Sequence, residues 1–133
     1  MLLGISTASL NGKAYNEDAL KWIGDSGIPC AEVFLSAFSE YKPSFGDKLV
    51  KVQQQTGIKV TSMHTLNTNF EGQLFSTSPR QKQDAFAIYE DVLQIGQALG
   101  AQNYVLHGPA HIKYLKYSTN YVHYAAITDE LTD

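Results

Sequence analysis

The chain has 133 residues, of which 44% are hydrophobic and 17% are charged. This composition is typical of one folded, soluble domain with its own core. The formal net charge of −3 argues against broad nucleic-acid binding, because phosphate contacts need clustered Lys and Arg. Cys30 is the only cysteine, which excludes an intramolecular disulfide.

The sequence predicts neither a signal peptide nor a membrane span. Met1–Leu10 has no basic start and no long apolar stretch. No apolar run approaches the roughly 18 residues that cross a bilayer. We therefore expect a cytoplasmic protein with no membrane partner.

Strand-like and helix-like segments alternate along the chain. Four short apolar runs predict β-strands, at Leu2–Ser6, Ala31–Leu35, Lys59–Met63 and Tyr104–Leu106. Polar capping residues predict the starts of four helices, at Asn16, Ser44, Ser78 and Asn120. The clearest start is at Ser78, where Pro79 fits the first helical position and Gln81 completes a capping box. Gly57 and Gly100 fit the ends of the second and third helices.

The alternation predicts an α/β fold of parallel βα repeats with right-handed crossovers. Four such units are half of a TIM (β/α)8 barrel, which typically needs about 250 residues. The last predicted helix has run only about three turns when it reaches Asp133, and its end is acidic. We therefore predict that residues 1–133 form a single domain, the N-terminal half of a barrel. A compact four-strand domain is the alternative.

Two histidines follow neighbouring strands of this predicted sheet. Lys59–Met63 runs into His64, and Tyr104–Leu106 runs into His107. The carboxyl ends of parallel strands meet at one edge, where α/β folds build their sites. Each histidine is a candidate metal ligand, and His64 is also a candidate donor to a sugar hydroxyl. Two histidines alone do not complete a metal site, which typically needs three or four protein ligands.

Glu32 is a carboxylate inside an apolar predicted strand. A buried acid must be paired or ligated, so we expect this one to point into the barrel and to contact substrate. The alternative is a bond to neighbouring backbone or to a lysine. His111 and His123 lie in the predicted last loop and last helix, and we expect surface or packing roles for both.

Several short motifs occur in an order that is similar to a known superfamily. They are Leu3-Gly4-Ile5-Ser6, Ala31-Glu32-Val33-Phe34, Met63-His64, Leu99-Gly100-Ala101 and Val105-Leu106-His107-Gly108-Pro109. In this order the chain resembles the xylose-isomerase-like TIM barrels. That superfamily contains sugar and sugar-phosphate isomerases and epimerases, and also the type IV apurinic endonucleases.

The resemblance implies part of a metal-dependent isomerase or epimerase that moves a proton next to the carbonyl of a small sugar or sugar phosphate. The implied cofactor is a divalent ion, Mn, Mg or Zn. In the endonuclease branch, His64 and His107 fall on zinc-ligand positions. In the sugar branch, most ligands and both proton-transfer acids come from later strands. This chain alone is therefore expected to be inactive, with no metal bound or with an incomplete site.

Two alternatives remain open at this point. An apurinic endonuclease with a zinc cluster fits the two histidines, but it fits poorly with the acidic charge and with Arg80 as the only arginine. A non-enzymatic half barrel would instead cover its open edges by pairing with a second copy. The first and fourth strands would be unpaired in a monomer, and exposed edges favour association.

Overall fold

A computed structural model describes residues 3–66 and 68–108. Four parallel strands form one sheet in the order β1-β2-β3-β4. Their bounds are β1 Gly4–Ser6, β2 Cys30–Leu35, β3 Lys59–Thr65 and β4 Asn103–Val105. The predicted parallel α/β alternation is confirmed over this range. Strand β3 is longer than predicted, so His64 lies inside the strand, whereas His107 follows the end of β4.

Helices connect the strands. The α-helices are α1 Asn16–Asp25, α2 Pro43–Thr56, α3 Glu71–Leu74 and α4 Pro79–Leu99, and two 3-10 turns lie at Thr7–Leu10 and Phe38–Tyr41. The residues after α2 and α4, Gly57 and Gly100, have φ of 72° and 74°. Both glycines therefore end their helices in the left-handed conformation, as predicted. The helix predicted from Asn120, together with His111 and His123, lies outside the described residues.

The two faces of the sheet differ because side chains alternate along a strand. One face, which we call the helix face, carries fully buried residues such as Val33, Leu35 and Met63. They pack with apolar residues of the helices, namely Leu20 and Ile23 of α1, Leu49 of α2, and Val92, Ile95 and Leu99 of α4. The opposite face, which we call the open face, carries Ser6, Glu32, Ser62 and His64. The core thus lies on one side of the sheet, and the polar residues lie on the other.

Two helix-start predictions are wrong in detail. Asn16 lies inside α1 and does not cap it; its side-chain amide donates to the carbonyl of Phe34 at 2.5 Å and to Oε1 of Glu40 at 3.1 Å. Ser78 is the N-cap residue of α4 and Pro79 is its first residue, as predicted, but Gln81 accepts from Ser76 and does not complete a capping box. In each case the side chain forms a hydrogen bond with another nearby group and does not form the predicted capping bond, because short polar side chains can bond to several neighbouring groups.

The segments between elements also differ from the prediction. Helix α2 begins at Pro43, one residue before the predicted cap Ser44, because proline suits the first helical turn. Strand β3 extends to Thr65, two residues beyond its predicted end, and the short helix α3 lies between β3 and α4. Within residues 3–66 and 68–108, no helix has the length and apolar character needed to cross a membrane.

Replacing Asn16 by Ala tests how firmly α1 is held to the end of β2. The substitution removes two hydrogen bonds from a buried side chain, so we expect a loss of about 1–3 kcal/mol in the free energy of unfolding. Urea denaturation followed by circular dichroism measures the loss. Asn11→Ala, at an exposed position, is the control. Equal stability of the two variants would contradict this account.

Candidate functional site

The structure brings the two predicted histidines into contact at the carboxyl edge of the sheet. His64 pairs in register with Phe34 of β2 and Val105 of β4, and His107 lies two residues beyond β4. Nε2 of His64 and Nε2 of His107 are 3.0 Å apart. Both rings retain some solvent exposure. The geometry therefore agrees with the prediction that neighbouring strand ends place these two histidines together.

A carboxylate lies behind each imidazole ring. Nδ1 of His64 is 3.1 Å from Oε1 of Glu32, and Nδ1 of His107 is 2.9 Å from Oε2 of Glu71. The four side chains therefore form one continuous line, in the order carboxylate, imidazole, imidazole, carboxylate. We call this arrangement the His–His line. Its members come from β2, β3, α3 and the segment after β4, so no short sequence motif contains it.

Glu32 lies on the open face, as predicted, and is only partly buried. Its Oε1 accepts from the Ser6 hydroxyl at 2.8 Å, and its Oε2 lies 3.4 Å from the Ser62 hydroxyl. Burial raises the pKa of Glu32, but the hydrogen bonds from Ser6, His64 and Ser62 outweigh burial and hold the pKa below its ordinary value. Glu32 is therefore an ionised carboxylate at neutral pH.

Glu71 is the functional residue that the sequence did not reveal. It is 0% exposed, yet both oxygens have donors. Oε2 accepts from the backbone N–H of His107 at 3.1 Å, in addition to Nδ1. Oε1 lies 2.7 Å from the Thr65 hydroxyl and 2.7 Å from the Tyr104 hydroxyl. A buried carboxylate thus obtains the pairing that burial demands.

The charge state of Glu71 follows from these contacts. Burial raises its pKa, but the hydrogen bonds from Tyr104, Thr65 and His107 together lower the pKa below the ordinary value. Burial also raises the pKa of Tyr104; the Thr65 hydrogen bond opposes this, and the Glu71 carboxylate adds to it. Tyr104 therefore keeps its proton at neutral pH and can donate it to Glu71.

Two ionised carboxylates fix the protons of the two histidines. A carboxylate only accepts hydrogen bonds, so each Nδ1 must carry a proton that points at its glutamate. A neutral ring then has a lone pair at Nε2. The two Nε2 lone pairs face one another at 3.0 Å, which is repulsive unless a proton or a cation lies between them. A proton or a cation between the two Nε2 atoms would remove this repulsion.

The arrangement fits a divalent metal ion in part. Histidines that bind metal usually donate their other ring N–H to a carboxylate, as both do here. Two nitrogens bound to one tetrahedral ion lie about 3.3 Å apart, given Zn–N bonds of about 2.0–2.1 Å. The observed separation of 3.0 Å is close to that value. No group of three or more His, Cys, Asp or Glu side chains within residues 3–66 and 68–108 is placed to hold an ion.

An open groove of about 550 Å³ lies at the same edge of the sheet, beside the ends of β1 and β2. Lys13, Trp22, Phe34 and Glu40 are among the residues that line it. The Phe34 ring also meets the His64 ring edge-on, with centroids 4.8 Å apart. The groove therefore adjoins the His–His line through Phe34, which lines the groove and contacts the His64 ring.

Asn69 has a structural role. Its side-chain amide donates to the carbonyl of Ser36 and to the hydroxyl of Tyr41, and so links the segment after β3 to the segment after β2. Thr65 and Tyr104 reach the site through Glu71, which both hydroxyls contact.

The lowered pKa of Glu71 predicts a specific loss of stability in acid. A carboxyl whose folded pKa is lower than its unfolded pKa stabilises the protein above the unfolded value, and this stabilisation is lost as the pH falls through the folded value. We expect the unfolding free energy to drop as the pH is lowered below about 4. In Glu71→Gln this drop should be smaller, with a loss of about 1–3 kcal/mol already present at pH 7.

Urea denaturation at a series of pH values measures both effects. Glu90→Gln, at an exposed position of α4, is the matched control and should keep the acid dependence of the unmodified chain. If Glu71→Gln loses stability in acid as steeply as the control does, the ionised, hydrogen-bonded state of Glu71 is wrong.

No known protein-family profile matches the chain, and no curated protein matches it. Among solved structures, the chain is similar to D-psicose 3-epimerase from Clostridium cellulolyticum H10, determined with D-tagatose, with 20% sequence identity and a TM-score of 0.67. The match covers 99% of this chain and 47% of that chain, so the present chain spans about half of that protein's length. The chain therefore shares the parallel α/β fold of about half of that structure, consistent with half of a TIM barrel.

Proposed function

We propose that the chain is the N-terminal half of a metal-dependent isomerase or epimerase that acts on a small sugar or sugar phosphate. The observation that carries the proposal is the His–His line, which lies at the carboxyl edge of a half barrel. Active sites of TIM barrels are built at this edge. The likeness to a sugar epimerase supports the sugar as the class of substrate.

His64 and His107 are the residues that would hold the divalent ion, whether Mn, Mg or Zn. When bound, such an ion polarises a carbonyl oxygen and stabilises the negative charge that develops beside it. Glu32 and Glu71 hold the two rings so that both Nε2 atoms face the same point. The described residues supply only these two nitrogens, so the remaining ligands belong to later strands.

His64 and Glu32 are the proposed contacts for substrate within this chain. The side chain of Glu32 is 26% exposed, and its Oε2 has only the long contact to Ser62. Spare acceptor capacity on the open face suits a sugar hydroxyl, which can donate to a carboxylate. Ser6 and Ser62 add hydroxyl groups beside it. The adjoining groove lined by Phe34 provides space for the rest of a small sugar.

The proton-transfer step needs an acid–base pair that this chain does not provide among its described residues. Glu71 is fully buried, and both oxygens of its carboxylate already accept hydrogen bonds. Oε1 of Glu32 is occupied with His64 and Ser6, and the lowered pKa of this carboxylate makes it a weak base. We therefore propose that the isolated chain is inactive, and that the acid and base come from the second half of the barrel.

The test uses the complete product of the gene, supplied with Mn²⁺. We expect it to exchange the proton next to the carbonyl of D-psicose or D-tagatose with deuterium from solvent, measured by NMR. His107→Ala should lower the rate by at least about 100-fold, since an ion at this point stabilises developing charge by several kcal/mol. Glu90→Ala, at an exposed position of α4, is the control and should keep the rate.

Three outcomes would contradict the proposal. They are exchange catalysed by residues 1–133 alone, a reading frame that stops at Asp133, and unchanged exchange in His107→Ala. Cleavage of DNA at an abasic site would instead favour the zinc endonuclease. The net charge of −3 does not favour that second activity.

Exposed apolar residues at both sheet edges favour a second proposal for the isolated chain, that it forms a homodimer. Leu3, just before β1, is 73% exposed, and Leu106, just after β4, is 43% exposed. Among the described residues both flank edge strands, and an edge strand favours pairing with another chain through its backbone groups. A second half barrel would cover both edges at once.

Light scattering on residues 1–133 tests this pairing. We expect a mass twice the 14.7 kDa of one chain, and a monomer in Leu3→Glu and Leu106→Glu. Gln55→Glu, on the exposed side of α2, adds the same charge away from both edges and should leave the dimer intact. A monomeric unmodified chain would overturn the proposed homodimer.

A further inference from the structure

Glu71 is a fully buried carboxylate with no lysine or arginine among its contacts in the described part of the chain. Its hydrogen-bond donors are Thr65, Tyr104 and His107. Burying a carboxylate is costly even when it is hydrogen-bonded, and an apolar side chain would fill the same space without that cost. The contacts of Glu71 therefore call for an explanation beyond packing.

The contacts of Oε2 are all made with one residue. This oxygen lies 3.1 Å from the backbone nitrogen of His107 and 2.9 Å from its Nδ1. A single oxygen atom thus accepts both the backbone and the ring proton of His107. Such a two-point contact fixes the ring relative to the end of β4, and it also fixes the tautomer with the proton on Nδ1.

The contacts of Oε1 anchor Glu71 to the sheet. The hydroxyls of Thr65 on β3 and Tyr104 on β4 lie 2.7 Å from Oε1 and 2.6 Å from one another. Strand β3 also carries His64, and His107 follows the end of β4. The carboxylate is therefore anchored to the two strands beside the imidazole pair, and α3 positions it there.

Glu71 and Glu32, at the two ends of the His–His line, differ in their solvent exposure. The Glu32 side chain is partly exposed on the open face, whereas Glu71 is 0% exposed. Glu71 cannot reach a substrate without breaking its contacts with Thr65 and Tyr104. Its influence on a bound group must therefore pass through His107.

We propose that Glu71, held by Thr65 and Tyr104, is a positioning residue that locks His107 in the tautomer and orientation needed to bind a divalent ion together with His64. The inference rests on the proposed function in assuming that these two nitrogens bind an ion. Outer carboxylates of this kind typically change metal affinity by about 10–100-fold.

The test compares four forms of residues 1–133, namely the unmodified chain, Glu71→Gln, Tyr104→Phe and Tyr89→Phe. Tyr89 meets the Tyr104 ring edge-on at 5.1 Å, so Tyr89→Phe removes a hydroxyl beside the network and serves as the matched control. Tyr104→Phe keeps the carboxylate and removes one of its donors, and it remains informative if Glu71→Gln does not fold.

The first measurement is the tautomer of His107 in the metal-free chain, from imidazole nitrogen chemical shifts in NMR. We expect the Nδ1–H form in the unmodified chain and in Tyr89→Phe. In Glu71→Gln we expect a mixture with the Nε2–H form, because a carboxamide both donates and accepts. An unchanged His107 tautomer in Glu71→Gln would overturn the positioning role.

The second measurement is Zn²⁺ affinity by titration calorimetry. We expect Glu71→Gln to bind about 10–100-fold more weakly, Tyr104→Phe to shift in the same direction by less, and Tyr89→Phe to match the unmodified chain. Equal affinities in all four forms would overturn the inference. If the unmodified chain binds no Zn²⁺, the two nitrogens alone do not hold an ion, and the NMR result alone decides the role of Glu71.

Discussion

The contact between two imidazole nitrogens, 3.0 Å apart with a carboxylate behind each ring, is the interaction on which the rest of the site depends. It requires His64 and His107 to come from adjacent parallel strands whose carboxyl ends lie at one edge. The register between β3 and β4 supplies this, because His64 lies beside Val105 and His107 follows two residues later. A shift by one residue would move His64 to the helix face, because side chains alternate with a period of two.

The same alternation links the site to the core. His64 and Thr65 are consecutive, so their side chains leave the sheet on opposite faces. His64 meets His107 above the open face, whereas Thr65 is 0% exposed and bonds Glu71. Two neighbouring residues of β3 thus support the same site. His64 is part of the imidazole pair, and Thr65 holds the Glu71 carboxylate behind His107. This explains why a polar residue occupies a helix-face position at the end of β3.

Much of the fold and the approach of the two histidines could be predicted from the sequence, because strand runs, glycine helix ends and strand-end histidines are local signals. The inward placement of Glu32 was also predictable, since a carboxylate in an apolar strand needs a polar face. Glu71 was not, because it lies in a segment that reads as a polar loop. Phe70, Leu74 and Phe75 are buried and hold that segment against the core. Their spacing was the available signal for α3, although nothing local indicates that Glu71 turns toward His107.

The position of the four members of the His–His line along the chain has a further consequence. Glu32, His64, Glu71 and His107 all lie within residues 32–107, and each has a hydrogen bond to another residue of that range, while Ser6 adds a further donor to Glu32. The geometry of the pair therefore does not depend on the second half of a barrel. In a whole barrel, ligands from later strands would meet two nitrogens whose tautomers and directions are already set. Such preorganisation lowers the conformational cost of binding an ion, because only the later ligands remain to be ordered.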